Sequence, residues 1–288
     1  MNTAKWIEKN TASLEGKTVA LSGSTGGIGR EICFYLVSLG ADLVLIDRNI
    51  KKSRALALEL RGRREGVSIS HVKADMENID EVIAAADELS SRRIDYLILN
   101  AGAYSIPRHK CDSGYDNVFQ INFLSQYYLA RRLLPLVSER GGKVVAVSSI
   151  AHNYSRSDAD DIDFSTRTRA SLVYGNAKRY LTYSLLPLDN VSIAHPGITP
   201  TGITAHYPKL IYAIIKYPMR LIFMKPRKAA LSIIAALFSD TDNDEWIGPR
   251  LFNVWGYPNK KKLRTASPEE AERIFGVACG IYQKFTDK

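Results

Sequence analysis

The chain has 288 residues, and 39 Lys and Arg against 30 Asp and Glu leave a net charge of +9. Hydrophobic residues at 45% and charged residues at 24% exclude a globally disordered chain, and the length suits one sheet-based α/β domain, read as spanning residues 1–288. Three cysteines (Cys33, Cys111 and Cys279) are odd in number and lack ligand spacing, which argues against a disulfide framework or a zinc site and for reduced thiols in the cytoplasm.

Along the chain, Met1 to Leu14 carries no apolar core of the kind a signal peptide needs. Short β-branched runs then alternate with longer segments of helical period. Lys17 to Ser22 predicts a first strand, followed by a glycine-rich turn and a helix from Gly27 to Leu39 that Gly40 ends. Asp42 to Asp47 predicts the second strand, with a basic helix from Lys51 to Arg64. A third strand (Val67 to Lys73), a helix (Ile79 to Ser91) and a fourth strand (Ile94 to Leu99) continue the pattern. A long helix from Ser113 to Val137 leads to strand five, Lys143 to Ser148. After a polar stretch come a helix from Ser171 to Leu186 and strand six, Val191 to Ala194. An apolar and basic region from Pro208 to Phe238 follows, then a last strand near Leu251 to Val254. The final helix opens on Ser267-Pro268-Glu269-Glu270, a capping serine, a first-position proline and two acids. The expected fold is a Rossmann-type, doubly wound α/β domain: a mostly parallel, seven-stranded sheet with helices on both faces. Its ligand site belongs at the carboxyl ends of the strands.

The turn after strand one reads Ser22-Gly23-Ser24-Thr25-Gly26-Gly27-Ile28-Gly29. Glycines at this place allow a tight strand-to-helix turn and close approach of backbone to a pyrophosphate, which the unpaired N–H groups of the helix start can bind. Asp47 ends strand two, 18 positions after Gly29, where an acid accepts hydrogen bonds from the adenosine ribose and repels a 2′-phosphate. That favours NAD(H). Arg48, Lys51, Lys52 and Arg54 pull the other way and keep NADP(H) open.

With these residues the sequence resembles the short-chain dehydrogenase/reductase family over nearly its whole length. Ser22 to Gly29 is similar to the family's TGxxxGIG turn, with Ser in place of the first Thr. Asp75, followed by Met76, resembles the acid that holds the adenine amino group. Asn100-Ala101-Gly102 resembles NNAG, with Leu99 in place of the first Asn. Asn122, Ser149, Tyr174 and Lys178 resemble the family's Asn-Ser-Tyr-Lys tetrad, and Pro196-Gly197 with Thr199 and Thr201 resembles the loop that holds the nicotinamide amide. The resemblance implies an NAD(P)-dependent oxidoreductase that interconverts an alcohol and a ketone or aldehyde.

The chemistry gives each of these residue types a reason. Tyr174 and Lys178 stand at i and i+4, on one helix face. A free phenol titrates near ~10 and is a poor base at neutral pH, and an adjacent ammonium favours the phenolate. Lys178 is expected also to reach the nicotinamide ribose, Ser149 to bind the substrate oxygen, and Asn122 to hold a water linking Lys178 to solvent. Of the paired serines, the second, Ser149, matches the family's position. Hydride chemistry is the cofactor's own.

One departure stands out. Ser149 and Tyr174 are 25 positions apart, about twice the family's usual spacing, because of the polar insertion 152–170. A similar insertion, His195-Pro196-Gly197 and the ending near Pro268 to Phe275 resemble the retinol dehydrogenase and protochlorophyllide reductase-like branch. That implies a lipophilic, sterol- or retinoid-like substrate, with the insertion bordering its entrance. The region 205–228 corresponds to the family's substrate flap. Its stretch 209–225 carries large apolar side chains and bases without an acid, which suits an apolar substrate, a peripheral membrane contact or an oligomer interface. A homodimer or homotetramer is the expected assembly.

Other residues carry plainer readings. His195 reads as a structural hydrogen-bond partner, Cys33 as core, and Trp246, Trp255, Tyr257 and Phe252 as packing near the last strand. His71, His109, His152 and His206 lack metal-ligand spacing. Nucleic acid is motivated only by net charge and has no motif behind it. The alternative from another class is a catalytically silent cofactor-binding regulator or scaffold. Within enzymes, the alternative is a sugar or acyl-thioester reductase.

Overall fold

A computed structural model describes residues 2–199, 223–263 and 265–286. The chain opens with a helix that sequence periodicity leaves unassigned, α1 (Thr3–Asn10), capped by the Asn2 side chain, which accepts from the Lys5 N–H at 2.9 Å. Trp6 and Ile7 are buried, and the Trp6 ring stacks on Tyr257. The β/α alternation follows as expected: β1 (Thr18–Ser22), α2 (Gly27–Ser38), β2 (Asp42–Asp47), α3 (Ile50–Arg61), β3 (Ile69–Lys73), α4 (Ile79–Ser90) and β4 (Tyr96–Leu99). The next helix is a composite of α5 (Asn117–Phe119), a π turn (Gln120–Leu124) and α6 (Ser125–Glu139). It starts later than Ser113, because Asp116 caps it by accepting from the Val118 N–H.

β5 (Lys143–Val147), a 3₁₀ turn (Ile150–Tyr154), α7 (Ala170–Leu185) and β6 (Val191–Ala194) continue the alternation. After 200–222, which lie outside the described residues, come α8 (Pro226–Phe238), β7 (Glu245–Leu251), β8 (Trp255–Lys262) and α9 (Pro268–Thr286). Among the described residues the strands form one sheet in the order β3-β2-β1-β4-β5-β6-β7-β8, parallel except for the antiparallel β8.

The sheet thus has eight strands where seven were expected. Leu251 to Val254, read as the last strand, is the tip of the β7–β8 hairpin, with Phe252 and Asn253 both at positive φ. An apolar run resembles a strand whether it extends or turns, and only the pairing of Leu251 with Trp255 decides. Phe252 is 82% exposed at this tip and does not pack as expected.

Alternate side chains of the parallel strands enter two cores, as strands buried on both faces require. Val19, Leu21, Leu43 and Leu45 pack with α2 and α8 on one face. Ala20, Val44, Ile46 and Leu97 pack with α4, α6, α7 and α9 on the other. Each fully buried aliphatic side chain contributes about 1.5–3 kcal/mol. These two layers hold the strand ends, and with them the site, at fixed positions. No described helix is long and apolar enough to cross a membrane.

Candidate active site

A cleft of about 670 Å³ runs along the carboxyl ends of the parallel strands. At one end stands the glycine turn. A Cβ on Gly29 would lie 2.1 Å from the Gly23 carbonyl oxygen, and one on Gly23 2.8 Å from the Ala101 Cα. The turn therefore closes only on bare backbone. Asn49 and Asn78 cap α3 and α4 with their side chains, whereas α2 starts at Gly26 with no side-chain cap. Its first N–H groups, from Gly27, Ile28 and Gly29 in the cleft wall, are left for a ligand.

Ser22 and Ser24 stand behind that wall, both fully buried. The Ser22 hydroxyl accepts from the Asn100 and Ala101 N–H groups and donates to Gln126, while Asn100 Nδ2 donates to the Ser22 and Gly23 carbonyls. These bonds lock the β1 and β4 turns together. Ser24 Oγ donates to Asp47 Oδ2 at 2.5 Å, as does Ser53 Oγ at 2.9 Å, and Ser53 meets His71 Nδ1 at 2.8 Å. The Asp47 carboxylate is only 4% exposed, yet it lines the cleft beside Arg48. Among the described residues its Oδ1 meets just the Thr25 N–H, at 3.4 Å. Asp75, Met76, Asn100, Ala101 and Gly102 continue the lining.

At the other end lie Ser149, Tyr174 and Lys178. Ser149 follows β5 and caps the 3₁₀ turn, its hydroxyl accepting from the Ala151 N–H. Ser148 also lines the cleft, but its hydroxyl is engaged with that of Thr182 at 2.6 Å. Helix α7 comes this close because residue 175 is glycine: a Cβ there would lie 2.4 Å from the Ala151 carbonyl oxygen.

Burial pushes the Tyr174 phenol up to about 12, against the opposing pull of the Ser149 hydroxyl facing it. Burial likewise pushes the Lys178 ammonium down to about 7. Lys178 Nζ donates to the Val147 carbonyl at 2.8 Å and lies 5.8 Å from the centre of the Tyr174 ring. Burial, rather than the neighbouring ammonium invoked from sequence, sets the proton affinity of this phenol. Asn122 sits in the π turn, fully buried, where its amide donates to the Ala103 and Val118 carbonyls and accepts from the Ala103 N–H. It braces the Gly102–Ala103 loop against Lys178, since a Cβ on Gly102 would meet both side chains, at 2.7 and 3.6 Å.

Pro196, Gly197 and Thr199 close the cleft after β6. Thr201 lies outside the described residues, as does the flap from 205 to 222 with most of the stretch 209–225. Of the flap's described end, Met224 is buried and its N–H donates to the Ile198 carbonyl.

The insertion touches the cleft through its start: Tyr154 is in the wall, as is Ser171 just beyond the insertion. Its middle folds back. Phe164, at φ 56°, is buried against Val118 and Val173, with Tyr174 and Ile106 alongside. Arg108 holds it there, donating to the Phe164 and Arg167 carbonyls and to Asp116.

Tyr104 is a wall residue that sequence reading did not single out. Its ring meets Tyr174 edge-on at 5.2 Å, and its place two residues after Asn100-Ala101-Gly102 is the signal that could have found it. Ile106, Ile121 and Ile150 are wall residues of the same kind, without such a signal.

The nicotinamide dinucleotide implied by the sequence fits this lining. The bare glycine turn and uncapped helix would take its pyrophosphate, Asp47 and Asp75 its adenosine end, and Tyr174, Lys178 and Pro196 to Thr199 its nicotinamide end.

The short chain dehydrogenase family model matches residues 17–159. The chain is 28% identical over 208 residues to retinol dehydrogenase 13 of Homo sapiens, covering 68% of this chain and 62% of that protein. It is 34% identical over 155 residues to the short chain dehydrogenase rstn4 of Aspergillus nomiae, covering 50% and 42%. The matched stretches thus span less than two thirds of either relative. In fold it is similar to a crystal structure of a protein from Mycobacterium paratuberculosis, with a TM-score of 0.72, 22% identity and 97% of each chain covered.

Proposed function

The chain belongs to the short-chain dehydrogenase/reductase family, close to its retinol dehydrogenase branch, and on that premise we propose that it interconverts a lipophilic alcohol and the corresponding ketone or aldehyde with NAD(H) as preferred cofactor. One observation carries the proposal: the glycine turn, Ser149 and the Tyr174–Lys178 pair, each at least 25 positions from the next in sequence, line a single cleft. When bound, the nicotinamide ring supplies or takes the hydride.

The chain's own residues handle the proton and the geometry. Tyr174, protonated at neutral pH because burial holds it at about 12, donates to the carbonyl oxygen in reduction and must first lose its proton for oxidation. Ser149 fixes the substrate oxygen beside that phenol. Lys178, held at about 7 by burial, gains charge as pH falls and would bind the nicotinamide ribose from behind. Asn122 keeps the Gly102–Ala103 loop in place beneath it.

A lipophilic substrate is supported by Tyr104, Ile106, Ile121, Ile150 and Tyr154, which wall the cleft around Tyr174. The preference for NAD(H) rests on Asp47, whose Oδ1 has only the long Thr25 contact among the described residues and can also accept from the ribose; Arg48 beside it keeps NADP(H) usable. We read the chain as one catalytic domain, cytoplasmic or membrane-peripheral, that works as a homodimer or homotetramer, with 209–225 serving an apolar substrate, a peripheral membrane contact or the subunit interface.

The test is Tyr174→Phe in a panel of lipophilic alcohols and ketones. Turnover should be lost while NADH binding persists. Unchanged turnover would remove Tyr174 from the mechanism, and absence of turnover in the unaltered protein across the panel would favour a silent cofactor-binding regulator.

A further inference from the structure

Behind Ser149 lies a line of buried side chains that the mechanism above does not use. His152, fully buried, approaches the Ser149 carbonyl with Nδ1 at 2.6 Å. A carbonyl only accepts, so Nδ1 carries a proton. Burial, with Arg179 acting in the same direction, pushes this imidazole down to about 4 despite the Ser149 carbonyl, so the donor keeps this form at any working pH.

The His152 carbonyl in turn accepts from Arg179 Nη1 at 3.0 Å. Arg179 is 1% exposed, and it forks onto the two carboxylate oxygens of Glu270 at 2.8 and 2.6 Å. Glu270 sits in the first turn of α9. A continuous chain of hydrogen bonds therefore runs from the C-terminal helix, through α7, to the turn that carries Ser149.

The identity of residue 152 is the informative point. Its ring packs edge-on against Trp246 at 5.1 Å and near Tyr183 at 6.3 Å, surroundings that a phenylalanine would fill as well. Instead the protein keeps an imidazole whose Nε2 has no hydrogen-bond partner among the described residues. Leaving such a group unpaired costs on the order of 1–3 kcal/mol. What the imidazole adds over a phenyl ring is the Nδ1–H donor, and that donor goes to Ser149.

We propose that His152 is a positioning residue, which holds the Ser149 backbone so that its hydroxyl faces Tyr174, and that Arg179 and Glu270 carry this hold from the C-terminal helix. The inference builds on the reading of Tyr174 as the proton carrier. Among the described residues, the polar groups facing Tyr174 are Ser149, Tyr104 and Lys178. Of these, only Ser149 is on the element that His152 holds.

The test compares His152→Phe, which keeps the packing and loses the donor, with His152→Asn, whose side-chain N–H can replace Nδ1–H. Two readouts are taken: the NMR resonance of isotope-labelled Tyr174 in the cofactor-free protein, assigned with Tyr174→Phe, and kcat alongside the Kd for NADH. His152→Phe should move the Tyr174 resonance and lower kcat roughly tenfold or more, with the Kd for NADH within about twofold, as expected when the group facing a general acid is displaced. His152→Asn should restore most of both.

A His152→Phe protein that matches the unaltered one in resonance and kcat overturns the proposal, and so does a His152→Asn protein as impaired as His152→Phe. If His152→Phe does not fold, Glu270→Gln decides from the far end: the same resonance shift and a smaller fall in kcat support the strut, and no change in either refutes it. Because the resonance is read without turnover, a protein with no activity on any substrate but with the expected shifts would refute the assigned reaction and leave the strut standing.

Discussion

The glycine turn offers a prediction whose size follows from the coordinates. In Gly29→Ala, the new Cβ would lie 2.1 Å from the Gly23 carbonyl oxygen and 2.9 Å from Asn100 Nδ2. Ordinary contact begins near 3.4 Å, so the turn must open by more than an ångström against the Asn100 bonds that hold it. Overpacking of this kind costs about 1–3 kcal/mol. If the turn opens where the pyrophosphate would sit, that cost appears as weaker cofactor binding, roughly 5- to 150-fold.

Gly26→Ala is the control. Its Cβ would meet nothing closer than the Gly23 carbonyl oxygen at 3.7 Å, and its backbone, at φ −74°, accepts alanine. The loss of a favoured helix-cap glycine there costs under about 1 kcal/mol, so binding should change by no more than about fivefold. Titration of NADH followed by fluorescence, with thermal denaturation with and without NADH, measures both variants. Gly29→Ala binding as tightly as the unaltered protein, or Gly26→Ala failing as badly, would refute the assignment of this turn to the pyrophosphate.

Other consequences are equally open to measurement. With the Tyr174 phenol at about 12, the base form needed for oxidation grows with pH, so kcat for alcohol oxidation should climb between about pH 6 and about pH 9 while ketone reduction does not; a flat oxidation profile would contradict the proton role. Asp47→Asn should raise kcat/KM with NADP relative to NAD by about tenfold or more, because a carboxylate no longer repels the 2′-phosphate beside Arg48; an unchanged ratio would show that Asp47 does not set cofactor choice. Burial alone would raise the Glu270 carboxyl, but hydrogen bonds from Arg179 and Ser157 outweigh it and hold it down to about 2 from 4.5. A depressed carboxylate stabilises the fold above about pH 4.5 and ceases to do so as pH falls through about 2, and allowing for the partly wet carboxylate this is worth roughly 1–3 kcal/mol. Urea denaturation of Glu270→Gln should therefore show a deficit at neutral pH that closes on acidification; a constant deficit would point to lost packing instead.

Much of the site was legible in the chain because its motifs are local. A strand, a glycine turn and a helix start fall within a dozen residues, and Tyr174 and Lys178 are one helical turn apart, so each could be placed without knowing the rest. The strand order was also constrained, since β-α-β units wind in one hand. Less legible were residues that act through distant partners. Nothing adjacent in sequence tells that Ser24 and Ser53 hold Asp47, that Arg108 pins the insertion at Phe164, or that Tyr104 meets Tyr174. The hairpin tip at Leu251 to Val254 escapes the sequence for a related reason: a short apolar run does not reveal its pairing partner.

The winding was readable in the chain from short-range spacing, and the candidate glycine turn, serine, tyrosine and lysine from their resemblance to the family's motifs. Only the tertiary structure decided the state of those groups. Sequence chemistry had a lysine ammonium activating the Tyr174 phenol, whereas in the fold burial raises the phenol and lowers the ammonium at once. Proton affinity depends on how much water and how many dipoles surround a group, and that surrounding is assembled from Ser149, Tyr104 and Val147, which the chain brings together only when the sheet and helix α7 pack.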